Sequence, residues 1–240
     1  MTEHENHFKS SPSLPGRSAA GKAGRTSAAE RGTGLPAERR QFGLQAGGES
    51  HPVISLPDEY EVLDFSSGYD PEKMTEFVKR GGRGVGGYNE KRPGMYLAPH
   101  FGNRRNVHMG IDFWAPAGEP VYAALDGEVA YTHNHADDGN YGAAVVLKHQ
   151  YREEELFALY GHLSLKSLEE SVPGKKVKAG DIVGWLGDET ENGNWPPHLH
   201  YQLSTIDPGE ADMPGVVAEE EREEALKIYP DPRMILGPVY

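Results

Sequence analysis

Apolar positions across residues 94–204 come in short runs or alternate with polar ones, and turn residues separate the runs. Val107–Trp114, Val121–Thr132, Ala143–His149, Leu156–Leu163, Ile182–Leu186 and Leu199–Leu203 are dominated by Val, Tyr, Ile and Trp. Gly or Asp-Gly lies between many of them. Such runs predict strands. Many short strands with turn residues between them predict a mainly β fold, with an antiparallel two-sheet, sandwich- or barrel-like core. A few helices are expected at the periphery. Asp70-Pro71 supplies an N-cap and a proline for the first helical position, so a helix is expected through Glu72 to Arg80, ended by Gly81-Gly82. Val216–Tyr229 reads as a second helix with an acidic, solvated face, stopped by Pro230-Asp231-Pro232.

Residues 1–50 have a different character. They are rich in Ser, Ala, Gly, Pro and Arg and hold few large apolar residues. Such a segment cannot bury enough surface to offset the entropy of ordering it, so a disordered tail is expected. Residues 51–97 read as a helix and loop extension packing on the core, and 98–240 as a β domain with a C-terminal helix. Gly82, Gly84 and Gly87 form a formal G-x-G-x-x-G. A dinucleotide site needs a strand before that motif and a helix after it. Here a helix precedes and Asn89-Glu90-Lys91-Arg92-Pro93 follows, so a flexible loop is expected instead.

Charge narrows the function. The chain has 240 residues and a net charge of −13. Nucleic-acid binders usually need a basic face, so no nucleic-acid partner is expected. No run reaches the ~20 apolar residues of a membrane span. There is no cysteine, which excludes disulfides, thiolate zinc sites and thiol catalysis. The first twenty residues contain no apolar signal-peptide core. On sequence alone the expected compartment is the cytoplasm, or the cell envelope if the chain is exported by another route.

The chain holds 11 histidines. His4-Glu5-Asn6-His7 lacks one spacer residue of the zinc-protease helix motif. His133 and His135, beside Asp137 and Asp138, read as a polar surface loop. His51, His100 and His149 are isolated. His108, Asp112, His162, His198 and His200 remain. His108 and Asp112 would lie roughly 13 Å apart in a straight strand, too far to share an ion, so a bend at Met109-Gly110 is expected. In a strand His198 and His200 share a face while Leu199 turns into the core. Neutral imidazole and carboxylate ligands without sulfur suit Zn²⁺ best, and three protein ligands leave a position open for water.

These residues resemble the lysostaphin/LytM-like zinc metalloendopeptidases, many of which cut peptide cross-links in peptidoglycan. The similarity runs from about Phe101 to Leu203, through FGNR (101–104), HMGIDFWAPAGEPVYAALDGEV (108–129), YGHLS (160–164), VKAGDIVGWLG (177–187) and PHLH (197–200). The resemblance implies one Zn²⁺ on His108, Asp112 and His200, with His162 and His198 as catalytic histidines whose division of roles stays open. It also implies a duplicated hybrid-motif fold and a peptide or peptidoglycan substrate. Two alternatives are a zinc amidohydrolase or peptidase acting inside the cell on another substrate, and an inactive binding or regulatory relative. Two positions depart from the family pattern. Trp195 sits in the loop before the HLH strand, and Gln202 stands where the family often has Glu; a Gln there suits either the site face or the support of a ligand histidine. The oligomeric state is not legible.

Overall fold

The computed structural model describes residues 50–102 and 104–240. The expected tail over 1–50 lies outside the described residues except for Ser50, as does the His4–His7 motif. In chain order the strands are β1 (Glu61–Leu63), β2 (Gly84–Gly86), β3 (Glu90–Lys91), β4 (Arg105–His108), β5 (Ile111–Trp114), β6 (Pro120–Tyr122) and β7 (Gly127–His135). They continue as β8 (Gly142–Tyr151), β9 (Glu154–Leu163), β10 (Lys176–Val177), β11 (Ile182–Trp185), β12 (His198–Ser204) and β13 (Val216–Ala218). The helices are α1 (Pro71–Lys79), α2 (Ser167–Glu170), α3 (Arg222–Ile228) and α4 (Arg233–Leu236).

Eight strands form the main sheet, in the order β1-β2-β5-β12-β9-β8-β7-β10. Its neighbours are antiparallel except β1 and β2. A parallel pair needs a crossover, and α1 is that crossover. Asp70 Oδ1 accepts from Lys73 N at 3.2 Å, Pro71 follows, and Met74 and Val78 bury one face. A two-stranded sheet, β6–β11, shares one apolar core with the main sheet. Val121 and Val183 there join Ile111, Phe113, Leu199, Tyr201 and Leu203. The two-sheet β core is therefore present, and a third sheet, β13-β4-β3, is added to it.

Two expectations are corrected. The glycine-rich stretch is not a loop: Gly84–Gly86 are β2, buried between β1 and β5. A Cβ on Gly84 would lie 2.7 Å from the Leu63 side chain, and one on Gly86 3.0 Å from Arg92 Nη2. Close approach demands glycine here, and glycine hides the strand from propensity. Val216–Tyr229 is not one helix either. Val216 and Val217 pair with His108 and Val107 as β13, and the α-helix is limited to Arg222–Ile228. The two β-branched residues complete a sheet beside β4 that their sequence neighbours do not announce.

Candidate metal centre and active site

Three central strands of the main sheet carry the site. On β12, Leu199, Tyr201 and Leu203 enter the core, so His198, His200 and Gln202 take the other face. His200 pairs with Asp112 of β5 on one side and Gly161 of β9 on the other. The expected bend at Met109-Gly110 is present: β4 belongs to the third sheet and β5 to the main one. His108 is the last residue of β4. The bend brings His108 Nε2 to 3.1 Å from Asp112 Oδ1. Gly110 is required as well as permitted, because a Cβ there would meet His200 Cε1 at 2.7 Å. His162, near the end of β9, has φ 63. A non-glycine residue in the left-handed region is strained, and such strain collects at functional sites.

Backbone and side-chain acceptors set the tautomer of each ring. His108 Nδ1 donates to Gly87 O at 2.8 Å, His162 Nδ1 to Asn192 O at 2.9 Å and His198 Nδ1 to Pro196 O at 2.8 Å. A carbonyl can only accept, so the Nε2 atoms of these neutral rings carry lone pairs. His200 is turned the other way. Its Nε2 donates to Gln202 Oε1 at 2.9 Å, leaving the Nδ1 lone pair free. Gln202 thus supports His200 from behind.

The consequence is a concentration of lone pairs. His108 Nε2 and His200 Nδ1 are 2.9 Å apart, and each is 3.1 Å from Asp112 Oδ1. The three residues are buried, and their donor atoms all lie within 4.8 Å of one another. With those tautomers no proton lies between the rings. Three acceptors facing one another out of water repel unless a cation joins them. The donor set therefore fits a metal ion.

Arg92, in a stretch whose sequence suggests only a loop, completes this arrangement. It is fully buried. Its Nη1 donates to Asp112 Oδ2 at 2.5 Å and lies 3.1 Å from Tyr96 Oη, and its Nε donates to Glu90 Oε2 at 2.5 Å. Burial pushes the Asp112 carboxyl up, but His108 and Arg92 outweigh it and hold the group well below the usual carboxylate range. Burial, with Arg92 behind it, drives His108 down to about 4. Burial also takes His198 down to about 4 and His162 well below its ordinary value. At neutral pH these three rings are uncharged and the carboxylate is ionised, the states that metal ligation needs.

His162 and His198 lie together beside the cluster, ring centroids 4.3 Å apart. His198 stacks on Trp114 at 4.2 Å. The five predicted site residues therefore converge, and all five line one cavity of about 500 Å³. Trp195 also lines it, its ring centroid 6.3 Å from both His162 and His198, while packing on Tyr69 and Tyr96. His100 lines the cavity too. His133 and His135 sit 4.5 Å apart without joining a metal-holding group among the described residues. His149 is buried elsewhere, with Nδ1 3.0 Å from Asp126 O, and His51 packs on Tyr122.

Residues 106–212 match the model of peptidase family M23. The chain carries an M23 peptidase domain. DD-carboxypeptidase/endopeptidase Mpg of Neisseria meningitidis serogroup B is 31% identical over 134 residues, 50% of this chain and 28% of that protein. Peptidoglycan DD-endopeptidase ShyA of Vibrio cholerae is 33% identical over 160 residues, 67% of this chain and 28% of that protein. Among solved structures, the catalytic domain of the prophage-encoded M23 protein EnpA from Enterococcus faecalis is 29% identical; the match covers 56% of this chain and 86% of that one, with a TM-score of 0.38. The chain thus spans 28% of the length of these two curated relatives. Arg92 lies outside the residues matched to the M23 model.

Proposed function

We propose that this M23 domain is a zinc-dependent endopeptidase that hydrolyses peptide bonds, with peptidoglycan cross-links as its substrate. The observation that carries the reading is the inward-facing lone-pair set of His108, Asp112 and His200 beside two further rings of fixed tautomer. Those three residues would hold the ion; their nitrogen and oxygen donors, without sulfur, suit zinc. Such an ion, when bound, supplies Lewis-acid polarisation of the scissile carbonyl and lowers the pKa of water toward ~7.

The protein's own groups do the rest. His162 and His198 present unprotonated Nε2 atoms to the cavity, and a neutral imidazole there accepts the proton of an attacking water. The imidazolium so formed returns that proton to the departing amine, so the proton count balances over the cycle. Trp195 adds an apolar wall that orients a bound chain. The similarity to the peptidoglycan DD-endopeptidase ShyA of Vibrio cholerae supports a peptidoglycan substrate.

The test is a hydrolysis screen with peptidoglycan fragments and with unrelated short peptides, each with and without chelator. Chelator-sensitive cleavage of the fragments alone is the expected outcome. Cleavage of unrelated peptides only would move the substrate away from the wall. No cleavage by the zinc-loaded protein would favour the inactive-relative alternative.

A further inference from the structure

Arg105 opens β4, three residues before His108, and its backbone is held by pairing with Ala218. It is half-buried and lines the same cavity as His108, Asp112 and His200. Its guanidinium has no hydrogen-bond or ion-pair partner among the described residues. That sets it apart from the other arginines of residues 50–240. Arg80, Arg83, Arg92, Arg104, Arg222 and Arg233 are each ion-paired to a carboxylate. Arg152 is exposed and lies over the Tyr151 ring.

The acids that follow its strand partner Ala218 are already engaged. Beyond Ala218, Glu219 is held by Lys91 and Arg222, and Glu220 and Glu221 by Arg104. Glu210 and Asp212 line the cavity but form no ion pair with Arg105. A guanidinium stays charged at any working pH, and its planar fork fits a carboxylate through two parallel hydrogen bonds. Holding it partly out of water with no counter-ion is costly unless a ligand supplies the anion.

The geometry points to Arg105 as a specificity residue that receives a carboxylate of the substrate when the scissile bond lies over His108, Asp112 and His200. This rests on the peptidase reading of the site. Two groups of a peptide present that chemistry, the C-terminal carboxylate and an acidic side chain, and the experiment separates them.

The probes are the peptide L-Ala-D-Glu-L-Lys-D-Ala-D-Ala, its C-terminal amide, and the form with D-Gln in place of D-Glu. Calorimetry on the metal-stripped full chain reads binding without turnover, and the zinc-loaded chain is assayed for cleavage in parallel. The wild type is expected to bind the parent about ten- to a hundredfold more tightly than one of the two neutralised peptides. Loss on amidation identifies the C-terminus; loss on the Gln exchange identifies the side chain. Arg105→Gln is expected to erase the preference, and Arg105→Lys to restore part of it, with zinc content and Tm at wild-type values. Equal affinity of the wild type for all three peptides, no binding of any, or a preference that survives in Arg105→Gln overturns the proposal. The wild-type comparison decides even if a variant folds poorly. Cleavage of all three peptides with equal affinity sinks this inference and leaves the peptidase reading standing. Arg105-dependent binding with no cleavage of any does the reverse.

Discussion

Arg92 Nη1 donates to Asp112 Oδ2 at 2.5 Å, while Asp112 Oδ1 faces His108 and His200, 3.1 Å from a ring nitrogen of each. One carboxylate is thus divided between a permanent cation from the 51–97 segment and the candidate metal position. Arg92→Met keeps much of the side-chain volume and removes the donors. It is expected to weaken zinc binding by about 10–100-fold, the range for removing a group that supports a ligand. It also leaves the buried Asp112 and the part-buried Glu90 without their counter-ion, a loss on the order of 3–5 kcal/mol. A chelator competition titration and thermal unfolding read the two effects. Wild-type zinc affinity in this variant would show that Asp112 is oriented without Arg92.

Ligands and proton carriers are expected to separate cleanly on substitution. His108→Ala and Asp112→Ala should lose stoichiometric zinc, read by elemental analysis of the purified protein. His162→Ala and His198→Ala should keep it and lose turnover by roughly 10²–10⁴-fold, the span of general acid–base groups. A folded but metal-free His162 or His198 variant would make that residue a ligand.

Gln202 fixes the tautomer of His200 through Oε1. Gln202→Leu removes that acceptor and leaves the buried His200 Nε2–H unpaired. Zinc affinity should fall roughly 10–100-fold, and Gln202→Glu, which keeps an acceptor oxygen, should hold most of it. The same competition titration checks both variants. Equal affinity in Gln202→Leu would mean that packing alone orients the ring.

Trp195 lines the cavity and also packs among aromatic rings, so its two roles need different readouts. Trp195→Ala is expected to raise KM several-fold and to change the preferred substrate while bound zinc stays stoichiometric. A lower Tm with an unchanged substrate profile would assign the residue to packing alone.

Acid should destabilise the metal-stripped protein. His108 and His198 fall from 6.5 to about 4 on folding, and burial also takes His162 well below its ordinary value. Below about pH 6.5 the unfolded chain takes up protons that the folded one refuses, so stability rises with pH in this window. The contribution is complete above pH 6.5 and is lost as pH falls toward 4. Tm measured in chelator across that interval should drop steadily, and more steeply than in a His198→Gln variant. A flat Tm would mean that these rings charge in place.

The sequence by itself determined the strand runs and the capped helix at Asp70-Pro71, and through its family resemblance it pointed to His108, Asp112, His162, His198 and His200. The strands and the helix were legible because they depend on local rules: alternation along a strand, or a cap and proline pair; so was the shared face of His198 and His200 on β12. The spacing of His108 and Asp112 even demanded a bend, and Gly110 supplied it. Other features were decided only in three dimensions. Gly84–Gly86 is a strand paired with β1 and β5, and its two glycines leave room for the side chains of Leu63 and Arg92, which only the fold brings there. Val216–Ala218 pairs with β4 across more than a hundred residues, so no window of sequence reveals it. Arg92 sits twenty positions before Asp112 in an irregular stretch, and its role arises only when β3 and β5 fold together. The tautomers of His108, His162 and His198 depend on carbonyls of Gly87, Asn192 and Pro196, groups that every residue type carries. Side-chain identity marks which atoms can bind an ion. Where the lone pairs point is set by backbone acceptors, and those take their places only in the tertiary fold.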